Sequence, residues 1–142
     1  MRHDEMIGKV QALAHLPDRG STELATRSVL QTLAERVPTG LADHMAAQLP
    51  RDLAACIHEV TDSATSDGRP SGAGERFDLT AFAGRVAVRA GTTEDRALRY
   101  CAAVLEVLDA AVSPEEMRKL TDALPADIRE LLPTARADEP GE

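Results

Sequence analysis

Val29-Leu30, Leu33, Val37, Met45, Leu49-Pro50, Asp52, Leu53 and Ile57 return 75 residues later, without a gap, as Val104-Leu105, Leu108, Val112, Leu120, Leu124-Pro125, Asp127, Ile128 and Leu132. Repetition at a fixed offset limits architecture before any single element is assigned. Each copy must fold alike, and two copies of 55–60 residues are each marginal alone. The expectation is an all-α protein, a tandem repeat of two four-helix units packed face to face around a pseudo-twofold axis. The alternative is two independent small bundles on a string.

The apolar positions recur at helical spacing. A first helix runs from Asp4 to His15, with Met6, Ile7, Val10, Leu13 and Ala14 on one stripe. Pro17, Asp18 and Gly20 interrupt it, and Ser21 is placed as N-cap of the second helix. That helix carries Ala25, Val29, Leu30, Leu33, Ala34 and Val37 inward, and Pro38-Thr39-Gly40 breaks it. A third helix with Leu41, Met45 and Leu49 stops at Pro50, because a residue before proline is driven out of the α region. The same proline opens a fourth helix, where Asp52 faces the positive end of the dipole.

The second copy follows the same order. Asp78 is placed as N-cap of a helix holding Leu79, Phe82, Ala83, Val86 and Ala90, which Gly91 ends. Thr92 or Thr93 caps the next, and Ser113-Pro114-Glu115-Glu116 starts another with Ser as N-cap and Pro at N1. The first helices of the two copies do not share the offset: Ile7 to Val10 is a step of three, Phe82 to Val86 of four. The units are thus residues 1–61 and 78–132, joined by a flexible linker at 62–77 rich in Gly, Ser and Asp and followed by a disordered acidic tail at 133–142. A coil of that length reaches roughly 20 Å, enough to fold one copy back on the other.

Aromatics are only 2% of the 142 residues, so the core must be built from Ala, Leu, Val, Ile and Met. These side chains favour helix and allow close helix approach. The net charge of −8 is spread along the chain, and no basic stripe offers a nucleic-acid footprint. No apolar run reaches the ~20 residues of a membrane helix, and Met1 to Met6 lacks the apolar core of a signal peptide. Cys56 and Cys101 read as small buried hydrophobes in a reducing compartment. The expected location is cytoplasmic.

The segment VLQTLAERVPTGLADHMAAQLP, Val29 to Pro50, resembles the bacterial family of uncharacterised proteins called DUF2267. Leu30, Leu33, Glu35-Arg36, Gly40 and Ala46-Ala47-Gln48-Leu49-Pro50 carry the likeness. FAGRVAVRAG through ALPADIRELL resembles the weaker second copy of such proteins. The likeness covers about residues 5–132, and departs in lacking the tryptophan that follows the first Leu-Pro. The resemblance implies an all-helical bacterial protein and no particular activity.

Chemistry-bearing residues are sparse. His3, His15, His44 and His58 lack the spacing of zinc ligands, and they read as surface or boundary residues. Cys101 beside Tyr100, or Cys56 near His58, cannot make a nucleophile and base, since adjacent and i+2 residues on a helix do not face each other. The acidic pairs Asp4-Glu5 and Glu115-Glu116 are explained by first-turn dipole compensation. Gly72-Ala73-Gly74 does not join a strand to a helix, as a phosphate-cradling loop would. Leu49, Pro50, Asp52, Leu124, Pro125 and Asp127 form a structural repeat signature. Arg85, Arg89, Arg96 and Arg99 form a candidate patch for an anion or an acidic partner.

No catalytic, cofactor or metal residues are expected. The reading is a non-enzymatic interaction or scaffold protein, with an unknown protein partner or a second copy of itself, and with no nucleic acid, membrane or metal. The alternative is a small-molecule-binding regulatory domain with an apolar pocket between the repeats.

Overall fold

A computed structural model describes residues 1–66 and 77–131. Those residues form eight helices and no strand: α1 His3–Ala14, α2 Arg19–Arg36, α3 Thr39–Ala46, α4 Arg51–Ser66, α5 Leu79–Ala90, α6 Glu94–Ala111, α7 Pro114–Ala123 and α8 Ala126–Arg129. The fold is all-α. Leu132, the last residue of the expected second unit, the expected disordered tail at 133–142, and positions 67–76 of the expected linker lie outside the described residues. Helix α4 runs to Ser66, so residues 62–66 extend the fourth helix where the sequence suggests linker. At the other end of that stretch, Phe77 is half-buried and its ring meets Phe82.

Helix α2 is the centre of the molecule. It touches α1, α3 and α4 of its own half and α5 and α6 of the other. Helix α1 packs on α6, and α5 packs on α2, so each first helix leans on the opposite half; α3 meets α7. One buried cluster runs through both halves, from Met6 and Val10 through Val29, Leu33 and Met45 to Phe82, Val104, Leu108, Leu120 and Ile128.

The central position of α2 explains a feature its apolar pattern does not announce. Beyond the expected inward face, Thr22, Thr26, Ser28 and Thr32 are also buried. Each hydroxyl donates to the carbonyl four residues back: Thr22 to Asp18 at 2.8 Å, Thr26 to Thr22 at 2.8 Å, Ser28 to Leu24 at 2.7 Å and Thr32 to Ser28 at 2.9 Å. A buried hydroxyl satisfied within its own helix costs little to bury.

The cap of α2 is Asp18, not Ser21: the Asp18 carboxylate accepts the Ser21 N–H at 2.7 Å. That hydrogen bond holds the Asp18 carboxyl below its usual range. The helix therefore starts at Arg19 and runs through Gly20. Only Val37 and Pro38 separate α2 from α3; Thr39 and Gly40 belong to the first turn of α3 and do not break the chain further. Leu13 is 43% exposed and lies off the buried stripe of α1. In the second half Asp78, Thr93 and Ser113 cap α5, α6 and α7 as expected, accepting the N–H groups of Ala81, Arg96 and Glu116.

The mismatch between the two first helices has a simple geometry. Both contain 12 residues, and each ends at a left-handed residue, His15 at φ 56° and Gly91 at φ 67°. Counted from these ends the offset is 76, and Met6, Ile7 and Val10 fall on Phe82, Ala83 and Val86, all buried. The connection to the next helix is one residue longer in the first half. That residue absorbs the register change before the offset of 75 begins.

Candidate functional site

Three polar residues of the Val29–Pro50 segment, Glu35, Arg36 and Gln48, reach across the seam between the halves, while Gln31 bonds Glu59 and Asp43 faces His58 within the first half. Glu35, near the end of α2, accepts two hydrogen bonds from the Arg89 guanidinium, at 2.7 and 3.0 Å, and one from Arg85 at 3.1 Å. Arg89 also donates to the Thr32 hydroxyl at 2.8 Å. Burial alone would raise the Glu35 carboxyl; the two arginines outweigh it and hold it below the ordinary glutamate range. The Arg85 guanidinium lies 3.9 Å from the centre of the Phe77 ring, a cation–π contact. Next to Glu35, Arg36 donates to the Phe77 carbonyl at 2.9 Å and to the Ala123 carbonyl at 3.5 Å. Gln48 accepts the Ser113 N–H at 2.6 Å, at the entrance of α7. Glu35, Arg36 and Gln48 thus each bond the opposite half.

The residues of the Leu-Pro signature take comparable places in the two halves, but their aspartates have different partners. Leu49, Leu53, Leu124 and Ile128 are core residues, and Pro50 and Pro125 separate each pair of helices. Asp127 accepts the Leu79 N–H at 2.9 Å and so caps the first turn of α5. Asp52 lies 3.4 Å from Nδ1 of His3, the first residue of α1. Each signature aspartate therefore addresses the start of the first helix of its own copy.

The four arginines of the expected patch divide between two places. Arg85 and Arg89 belong to the Glu35 seam and line a shallow groove with Ala81, Gly84 and Val88 on the outer face of α5. Val88 is 82% exposed. Arg96 and Arg99 line a separate cleft of about 340 Å³, walled by the end of α1 and the α1–α2 connection.

A polar cleft of about 540 Å³, which the sequence does not signal, gathers His3, Asp4, Arg19, Glu23, Asp52 and Cys56. Arg19 pairs with both Asp4 and Glu23, and His3 stands 3.6 Å from Glu23. His58 lies 3.7 Å from Asp43, both half exposed; His44 is exposed. The cluster arises because α1, α2 and α4 meet there, a contact no local spacing encodes. Among the described residues no group of three or more His, Cys, Asp or Glu side chains is arranged to hold a metal ion. Nor is any helix among them long and apolar enough to cross a membrane. Cys56 and Cys101 are buried, and burial pushes the Cys101 thiol up to about 12.

A family model described as "Uncharacterized conserved protein (DUF2267)" matches residues 3–131. No curated protein matches the chain.

Proposed function

The chain belongs to the DUF2267 family, and from that premise we propose that it is a non-catalytic helical interaction or scaffold protein. In this reading two four-helix repeats are related by a pseudo-twofold axis, with α1 on α6 answering α5 on α2. The observation that carries it is the use of the segment's polar groups. Glu35, Arg36 and Gln48 are bonded to the opposite half, where they tie the two halves together. The Cys101 thiol stays protonated at physiological pH and is a poor nucleophile.

The docking face of this reading is the outer side of α5, where Val88 projects beside Ala81 and Gly84. The expected occupant is an apolar helix of a partner protein, or the same face of a second copy. A ligand pocket between the repeats draws less support. Val29 and Leu33 on α2, and Val104 and Leu108 on α6, are at most 1% exposed, which leaves no water-sized void against them.

The test is capture on the immobilised full chain, compared with Val88→Glu at matched helicity, together with light scattering for self-association. A defined partner, or a dimer, that Val88→Glu abolishes supports the reading. Binding indifferent to Val88→Glu moves the interface elsewhere, and turnover that depends on Glu35 would overturn the non-catalytic assignment.

A further inference from the structure

The cleft at the α1–α2 corner differs from every other polar site described above, because its polar side chains have no protein partners. Arg96 and Arg99 stand one turn apart on α6, so both guanidiniums serve the same side of the helix. Neither forms an ion pair or side-chain hydrogen bond with another described residue, and the same holds for the side chains of His15, Ser21 and Tyr100 around them. Arg19 is matched by Asp4 and Glu23, and Arg85 and Arg89 by Glu35, whereas Arg27, Arg51 and Arg118, like Arg96 and Arg99, form no ion pair among the described residues. What sets Arg96 and Arg99 apart is that they share one cleft. The nearby carboxylates in sequence are occupied or turned aside. Asp18 accepts the Ser21 N–H, the Glu94 carboxylate lies against Gly84 of α5, and Asp95 makes no pair with Arg99.

His15 supplies an independent observation. It is the one non-glycine residue with positive φ among the described residues, at 56°. The equivalent position that ends α5 is Gly91, the default residue for that conformation. A histidine in the left-handed region is strained, and here the strained residue lines the cleft.

We propose that Arg96, Arg99, His15, Tyr100 and Ser21 form a binding site for a phosphate-type oxyanion, free or carried by a small molecule. Two guanidinium forks alone would saturate a planar carboxylate. His15, Ser21 and Tyr100 line the same cleft from the end of α1, from α2 and from α6, and offer further donors for the several oxygens of a tetrahedral anion. The walls contributed by Ala14, Leu16 and Pro17 leave room beside the anion for an apolar body, in a cleft within the lower range of small-molecule sites. This site is distinct from the α5 face and does not depend on it.

The test is a titration of the full chain, isotope-labelled at arginine, with inorganic phosphate, phenyl phosphate and acetate at constant ionic strength. Shifts of the Arg96 and Arg99 Nε–H signals with either phosphate are expected, with acetate much weaker. Tighter binding of phenyl phosphate assigns a phosphorylated small molecule; equal binding assigns free phosphate. Arg96→Ala and Arg99→Ala should each weaken binding about tenfold, with melting unchanged. His15→Gly should weaken binding while raising the melting temperature, a pairing that general destabilisation cannot produce. No arginine shift at millimolar phosphate, or acetate binding as tightly as phosphate, would overturn the proposal.

Discussion

His15 and Gly91 hold the same backbone conformation at the ends of α1 and α5, and the contrast between them isolates one physical effect. Nothing lies within 4 Å of a Cβ built on Gly91, so Gly91→Ala meets no steric obstacle except its own φ of 67°. We expect Gly91→Ala to cost about 1 kcal/mol and His15→Gly to gain up to about that amount, less the entropy of a freer unfolded chain. Urea unfolding of the two variants measures both signs; a destabilised His15→Gly would mean that the imidazole contributes more to folding than its strain removes. The sequence marks Gly91 as a helix terminator, because glycine is the usual residue there. It does not mark His15, because nothing local distinguishes a strained histidine from a relaxed one. Ser21 shows the same limit. Serine and aspartate are both good caps, and only the geometry of Asp18 accepting the Ser21 N–H decides between them.

At the scale of the element, α2 holds the largest gap between pattern and structure. Its inward apolar face was legible, but its buried Thr22, Thr26, Ser28 and Thr32 were not. A helix surrounded on several sides keeps only a narrow solvent edge, here at Leu24 and Arg27, and hydroxyls that bond their own backbone let polar residues face its neighbours. Two threonines should therefore respond differently to valine. Thr26→Val should change stability by less than about 1 kcal/mol, since the Thr22 carbonyl keeps its helical N–H partner. Thr32→Val should cost more, because Arg89 loses an acceptor. Thermal melts of the pair check the order. The Leu-Pro breaks and the caps at Asp78, Thr93 and Ser113 were readable because each acts within a few residues. The role of Asp127 was not, since its partner Leu79 lies 48 residues away. Asp127→Ala should cost about 1 kcal/mol. Asp52→Ala should cost less, because Asp52 is 77% exposed and meets an imidazole instead of a helix N–H. Equal losses would contradict the capping role.

At the scale of the whole molecule, the Glu35 seam is a polar link between the halves beside their shared apolar core, and its contribution should depend on pH. The Glu35 carboxyl is held below its ordinary 4.5 in the folded chain. Its contribution is therefore complete above the unfolded value and is lost as pH falls through the lower, folded one. Glu35→Gln should be less stable than the parent near neutral pH, and the gap should close in acid. A gap that stays constant with pH would remove the carboxylate from the account. This seam was only half visible in the sequence. Arg85 and Arg89 stood out only as half of a four-arginine patch with Arg96 and Arg99, and Glu35-Arg36 as part of a family pattern. Their meeting is a long-range event, which no helical period records. The pattern forecast an all-helical chain with breaks at Leu-Pro, while the caps differ: Asp78 and Ser113 cap α5 and α7, whereas α1 and α3 have no side-chain cap.

The central claim is that both halves share one core, fastened by Glu35, Arg36 and Gln48. Native-state hydrogen exchange of the intact chain tests it most directly, comparing amides at the buried centres of α2 and α6 in the parent and in Glu35→Ala. The account predicts one common opening free energy for the two helices, lowered equally in both by about 1–3 kcal/mol when Arg85 and Arg89 lose their partner. Two separate opening energies, with Glu35→Ala changing α2 and leaving α6 untouched, would contradict it.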